Sequence, residues 1–226
     1  MPTTLPLFPL NVVLVPGLVL PLHIFEPRYR ALVEELLAVP DQDAREFGVV
    51  AVREGRTVEV DGRDALFPVG TTAIVRQAER LDDGRFDIVT TGGRRFSIAS
   101  IDLAEPLVRG EVEFLPDVED AGDLPLAGHV ARAFLAYRIA LSGQVVDEAA
   151  IDPGSAEDLP DDPTVLSYLV TAALVIAPDE RQSLLAAAST ASRLVQARAL
   201  LVRETGLIAA LGAVPMLESL SPPSPN

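Results

Sequence analysis

The sequence predicts an α+β protein, with a β-rich N-terminal half carrying one embedded helix and a helical C-terminal half. Three observations lead there. The chain has 226 residues, 49% hydrophobic and 23% charged, enough to bury a core in one large domain or two small ones. Up to about Phe114 the apolar residues form short runs or alternate, broken by Gly, Pro and Asp-Gly turn signals, as in the short strands of a small barrel or sandwich. After Pro116 the apolar spacing changes to three and four, the period of helices.

The first extended segments, LPLFPL (5–10) and LVLPLH (18–23), contain prolines, which withhold a backbone donor and therefore suit sheet edges or bulges. A helix follows at once. Pro27 fits a first turn, where its missing N–H costs nothing, and the Glu26 carboxylate complements the positive helix end. Tyr29, Leu32, Val33, Leu36 and Leu37 then make one buried face. FGVVAV (47–52) is a continuous apolar strand. The clearest hairpin runs from Thr71 to Thr91, with Asp83-Gly84 supplying the positive φ of its turn. Gly92-Gly93 is predicted to turn the chain into RRFSIASI (94–101), and LVRGEVEFL (107–115) is the last strand.

In the second half, Val130, Phe134, Tyr137 and Leu141 form one stripe of a helix over 126–141. The acidic segment 142–162 reads as a long solvated loop. Asp162-Pro163 is an N-cap and first-turn pair for a helix to Ala177, with Leu166, Leu169, Val170, Ala173 and Ala177 inward, and Pro178 opens another. Ser189 or Thr190 caps the last helix, where Leu194, Leu201 and Ile208 recur at sevens. The expected division is a β-rich subdomain 1–115, a helical subdomain 116–214 containing the loop 142–162, and a disordered tail 215–226.

Composition removes whole mechanisms. All eighteen basic residues are arginine, and there is no lysine, cysteine or tryptophan. A Walker P-loop, a Ser–Lys dyad, a Schiff base, a cysteine nucleophile and a Cys-ligated zinc are therefore excluded for this sequence. A net charge of −15 argues against nucleic acid and anionic membrane surfaces. The start of the chain, free of Lys and Arg before Arg28 and broken by Pro6, Pro9, Pro16 and Pro21, does not look like a signal peptide. The apolar run 165–177 is too short to span a bilayer, so the expected location is the cytoplasm.

What remains for chemistry is thin. His129 lies near a helix start with no partner in sequence, and reads as solvated or capping. His23 ends a strand while Glu26 lies around a corner, so convergence on a metal does not follow. The adjacent acid pairs Glu34-Glu35, Asp82-Asp83 and Asp161-Asp162 occupy helix-surface, turn or capping positions, without the apolar setting that makes a general acid. Arg94 and Arg95 alternate across a strand, reading as one exposed and one salt-bridged residue. Arg28 and Arg30 point about 200° apart on their helix, so at least one is free for a salt bridge or ligand. No catalytic residue, metal site or cofactor is assigned. His23, Phe25, Glu26, Arg28 and Tyr29 are the candidate peptide- or ligand-contacting residues.

The segments 5–36 (LPLFPLNVVLVPGLVLPLHIFEPRYRALVEEL), 47–52, 68–98 and 178–204 (PDERQSLLAAASTASRLVQARALLVRE) resemble, in order, the substrate-binding N-terminal domain of Lon protease in its stand-alone bacterial form. The resemblance implies a six-stranded PUA-like pseudo-barrel with an embedded helix, followed by a helical bundle. It also implies a non-catalytic module that recognises unfolded or hydrophobic protein segments, as an adaptor or quality-control factor working beside a protease or chaperone. The expectation is that this chain acts without the ATPase and protease domains of Lon. The alternative is a small-ligand protein or enzyme using a cleft between barrel and bundle. The oligomeric state is left open by the apolar sevens of the last helix, which serve internal packing and dimerisation equally well.

Overall fold

A computed structural model of the protein describes residues 3–53, 55, 62–104, 106–119, 123–144, 148–151 and 158–211. These form a mixed α+β structure of six strands and five α-helices, in two compact units dividing between Pro116 and Asp117.

The first unit contains β1 (Thr3–Leu10), β2 (Val19–Ile24), helix α1 (Pro27–Leu37), β3 (Glu46–Ala51), β4 (Val69–Arg80), β5 (Phe86–Asp102) and β6 (Arg109–Phe114). The strands lie in one sheet, β2-β5-β4-β3-β1-β6, and β5 also pairs with β6. The circuit β5–β4–β3–β1–β6 therefore returns to β5, and β2 hangs on β5 alone. Bulges let one long strand serve these ladders, with register shifts between Thr71/Ala73 and Val75/Gln77 on β4 and between Ile98/Ser100 on β5.

The prolines of β1 find their place in the pairing. Thr3–Pro6 pair with β6 and Leu7–Leu10 pair with β3, so at Pro6 and Pro9 one flank of the strand is unpaired and accommodates the missing donor. The 83–84 turn has the expected form, with Gly84 at φ +80° and the Gly84 amide donating to the Leu81 carbonyl. The turn expected at Gly92-Gly93 is absent, because β5 runs straight through both glycines. Their role is close approach. A Cβ on Gly92 would stand 2.2 Å from the Val15 carbonyl oxygen, and the Gly92 backbone instead exchanges hydrogen bonds with Gly17 and Leu18. Tyr29, Leu32, Val33 and Leu36 of α1 are buried over one apolar cluster with Ile24 and Phe47, while Phe96, Ile98 and Val112 belong to a second.

The second unit contains α2 (Asp123–Leu141), α3 (Pro163–Ala173), α4 (Pro178–Leu185) and α5 (Thr190–Leu211). Asp162 accepts the Val165 amide and Ser189 the Ser192 amide, two side-chain N-caps. The helix expected to reach Ala177 ends at Ala173. Arg181 explains how it ends, since its guanidinium donates to the carbonyls of Ala172 and Leu174, which the stopped helix leaves without amide partners. Burial pushes the Arg181 pKa below its ordinary value. The loop expected over 142–162 is not solvated throughout: Glu148–Ala150 form a 3₁₀ turn and Ile151 is buried. Residues 145–147 and 152–157, and the tail expected to be disordered from 215, lie outside the described residues.

Val130, Phe134, Tyr137, Leu166, Leu194 and Leu201 share one apolar cluster. Beside it lies a polar centre that the apolar pattern does not reveal. Arg193 is fully buried, donating to the Leu184 carbonyl, to Ser167 Oγ and to Asp117 Oδ1, with its guanidinium 4.0 Å from the centre of the Tyr168 ring. Tyr168 donates to the same Asp117 oxygen, and Thr164 bonds both Thr190 and Glu119.

Candidate functional site

Among the described strands β2 pairs with β5 alone, which leaves its other edge open. The Leu18 carbonyl receives the Gly92 amide, so alternation turns the backbone groups of Leu20, Leu22 and Ile24 toward β5 and those of Val19, Pro21 and His23 toward the open edge. Pro21, which has no N–H, thus sits where no donor is needed, and it also interrupts the edge as a template for another strand. The side chains alternate as well. Leu20, Leu22 and Ile24 pack against the α1 cluster, and Val19, Pro21 and His23 are exposed. Val19 at 58% and Phe25 at 57% exposure give this edge an apolar residue at each end.

The five candidate residues fall into two sets. His23 and Phe25 form the outer one, with ring centroids 6.4 Å apart and planes 26° from parallel. His23 Nδ1 lies 2.6 Å from Asp87 Oδ1, and its Nε2 lies 3.0 Å from Arg85 Nη1. An arginine can only donate, so this network assigns the acceptor to Nε2 and the proton to Nδ1, which donates to Asp87. Arg85 is held in turn by Asp83, whose pKa is lowered first by the Arg85 backbone amide and further by its side chain. Both histidine nitrogens are therefore engaged.

Glu26, Arg28 and Tyr29 form the inner set. Glu26 makes no side-chain cap to α1, because its Oε2 receives both Nε and Nη2 of Arg28, at 2.8 and 2.6 Å. Arg28 also donates to the Pro106 carbonyl and lies over the Tyr29 ring. Tyr29 is 4% exposed and stacks on Phe8 at 3.8 Å, and burial pushes its phenol pKa up to about 12.

Arg30, on the opposite side of α1, lies against Gly84, where a Cβ would meet its Nη2 at 2.5 Å. Arg94 pairs with Glu46 and Arg95 is buried, donating to the Pro116 carbonyl, while His129 is exposed on α2. Among the described residues no three His, Cys, Asp or Glu side chains are grouped to hold a metal ion, and no helix is long and apolar enough to cross a membrane.

The family model for the ATP-dependent protease La (LON) substrate-binding domain matches residues 4–203. The Lon protease of Roseiflexus castenholzii is 29% identical over 212 residues, covering 92% of this chain, and Lon protease 2 of Syntrophobacter fumaroxidans is 29% identical over 192 residues, covering 82%. The matches span only 25% and 22% of those two proteins. Among solved structures, a Lon N-terminal domain protein from Xanthomonas campestris superposes with a TM-score of 0.62 at 25% identity, covering 87% of this chain and 98% of that one. The N-terminal domain of a Mycobacterium avium complex Lon protease has the same TM-score at 20% identity, covering 90% and 98%, and shares the fold.

Proposed function

The chain belongs to the family of Lon substrate-binding domains, and from that premise we propose that it is a non-catalytic module that captures unfolded or hydrophobic protein segments in the cytoplasm, as an adaptor or quality-control factor. The observation that carries this is the family match over residues 4–203. The fold is read in the same frame: the closed strand circuit as a PUA-like pseudo-barrel, and the four helices after Pro116 as a bundle. The divided chain is read as two subdomains, β-rich and helical.

The surface that supports capture is the open edge of β2, with Val19, His23 and Phe25 outward and Glu26, Arg28 and Tyr29 locking the corner behind them. Because Pro21 withholds a donor, a bound segment is held by apolar side-chain contact more than by a continuous ladder. The alternative of a ligand cleft needs two of His23, Glu26, Arg28 and Tyr29 to face open space together. Glu26 and Arg28 instead bind each other, Tyr29 packs on Phe8, and His23 is engaged at both nitrogens.

A panel of fluorescently labelled unfolded proteins and apolar peptides tests the proposal by anisotropy. Binding is expected in the micromolar range, weakened several-fold by Val19→Asp together with Phe25→Ser, two exposed positions whose change spares the core. Absence of micromolar binding across the panel overturns it.

A further inference from the structure

Two arginines that make no salt bridge among the described residues line one cavity on the first unit, away along the chain from β2. The cavity, about 480 Å³ and open to solvent, is lined by Arg53, Arg63, Asp64, Leu66 and Pro68. Arg53 follows β3, and its backbone amide bonds the Ala65 carbonyl while its Nε donates to the Leu66 carbonyl at 3.1 Å. Its guanidinium lies 4.8 Å from the centre of the Phe67 ring. Arg63 opens a 3₁₀ turn, and its Nη1 and Nη2 donate to the carbonyls of Ala99 and Ile98 at 2.9 and 2.7 Å. Those carbonyls lie where β5 and β6 shift register.

This mode of anchoring matters for charge. Most ion-paired arginines of the protein, such as Arg28, Arg76 and Arg94, are neutralised by a carboxylate within hydrogen-bond reach. Arg53 and Arg63 are held by neutral carbonyls and an aromatic face, contacts that fix position without themselves neutralising the charge. Among the described residues neither makes a salt bridge, and the described part of the lining carries one carboxylate, Asp64, against two guanidiniums. Both retain N–H groups beyond those given to carbonyls: the terminal nitrogens of Arg53, and one hydrogen on each terminal nitrogen of Arg63. In a chain of net charge −15, two guanidiniums lining one cavity stand against the sign of the whole.

We propose that this cavity is an oxyanion site, taking a carboxylate or phosphate group between Arg53 and Arg63. The proposal is independent of what the edge of β2 binds. Asp64 sets the affinity, since its charge opposes the ligand's.

The test titrates the whole chain with inorganic phosphate and, separately, with succinate, each against sodium chloride of matched ionic strength, following the thermal midpoint and the heat of binding. A saturable rise beyond that of chloride is expected for at least one anion. A response to phosphate alone assigns a phosphate-bearing ligand, and a response to succinate alone a carboxylate-bearing one. Arg53→Gln weakens binding about tenfold or more, and Asp64→Asn, at an exposed position, strengthens it a few-fold. Arg63→Gln is a poorer probe because it also strips the Ile98 and Ala99 carbonyls of their donor. No saturable response to either anion in the millimolar range overturns the site, as does a response identical in the wild type, Arg53→Gln and Asp64→Asn.

Discussion

Each unit buries one arginine among the described residues, and each arginine holds its own side of the division at 116/117, but the surroundings differ. In the first unit Arg95, on β5, donates to the Pro116 carbonyl among its contacts, and the sheet around it is held by backbone ladders. In the second, Arg193 reaches the Asp117 carboxylate from the first turn of α5, beside Ser167 and Tyr168 of α3. The difference follows from what strands and helices leave unsatisfied. A closed ladder fixes which strands are neighbours through backbone hydrogen bonds, so strand register does not depend on a buried side-chain charge. Helices satisfy their own backbone, and an apolar interface alone tolerates sliding. A buried charge that must meet one acid and one hydroxyl permits a single register.

That contrast breaks most visibly at Arg193. Arg193→Ala removes the donor to the Leu184 carbonyl, Ser167 and Asp117 and opens a cavity where a fully buried side chain stood, for an expected loss of about 2–5 kcal/mol, measured by urea unfolding followed by far-UV circular dichroism. Arg193→Met combined with Asp117→Asn restores part of it, because hydrocarbon refills the buried space of the guanidinium and the carboxylate that faced it, itself about a third exposed, is neutralised as well. A loss below about 1 kcal/mol for the alanine variant would show that the polar centre is dispensable.

In the first unit the sharper probe is pH. Tyr29 is buried against Phe8, and its phenol is pushed up to about 12 in the fold, against an ordinary value of 10.0. A folded pKa above the unfolded one means that the contribution is fully present below pH 10 and is lost as pH rises from about 10 to about 12, while the unfolded chain alone ionises. The full loss is about 2–3 kcal/mol. Denaturation at stepped alkaline pH should show this slope in the wild type and lose it in Tyr29→Phe, which keeps the stacking. An equal slope in both proteins assigns the alkaline loss to other groups.

These two residues also mark what the chain discloses in one dimension. Tyr29 was legible, because it heads an i, i+3, i+4, i+7 face whose burial is decided by spacing. The Asp83-Gly84 turn was legible for the same reason, since positive φ restricts residue type. Gly92-Gly93 misled because a glycine pair signals both a turn and a close approach, and only the three-dimensional position of Val15 separates them. Arg193 was hidden behind Leu194, Leu201 and Ile208, whose sevens describe the helix without it. The signal that could have found it is the stripe Thr164, Ser167, Thr171, hydroxyls at i, i+3 and i+7 on an otherwise apolar helix, which all prove buried. At the candidate site, sequence identified the residues and could not separate His23 and Phe25 from Glu26, Arg28 and Tyr29. That separation depends on Asp87 and Arg85, brought in by strand pairing from more than sixty positions away.

The smallest expected effect comes from another arginine of α5, ten residues beyond Arg193. Arg203 binds Glu180 through Nη1 and Nη2 and Glu204 through Nε and Nη2, a denser set of ionic contacts than those given for Arg193. The hydrogen bond to Glu180 raises the Arg203 pKa, and the reciprocal bond lowers that of Glu180. Counting contacts would rank Arg203 first. Both it and Glu180 are substantially exposed, so water competes for each bond and salt screens the charges. Arg203→Gln should therefore cost only about 0.2–1 kcal/mol, shrinking further in molar salt. Because the Glu180 pKa is depressed in the fold, its small contribution is present above the unfolded carboxylate range and fades as pH falls through the folded value. Urea titrations of the wild type and Arg203→Gln, at neutral pH and in acid, should converge as the acid protonates Glu180. A loss at Arg203 equal to that at Arg193 would show that contact number governs these helices, and burial would no longer explain why the two units are built differently.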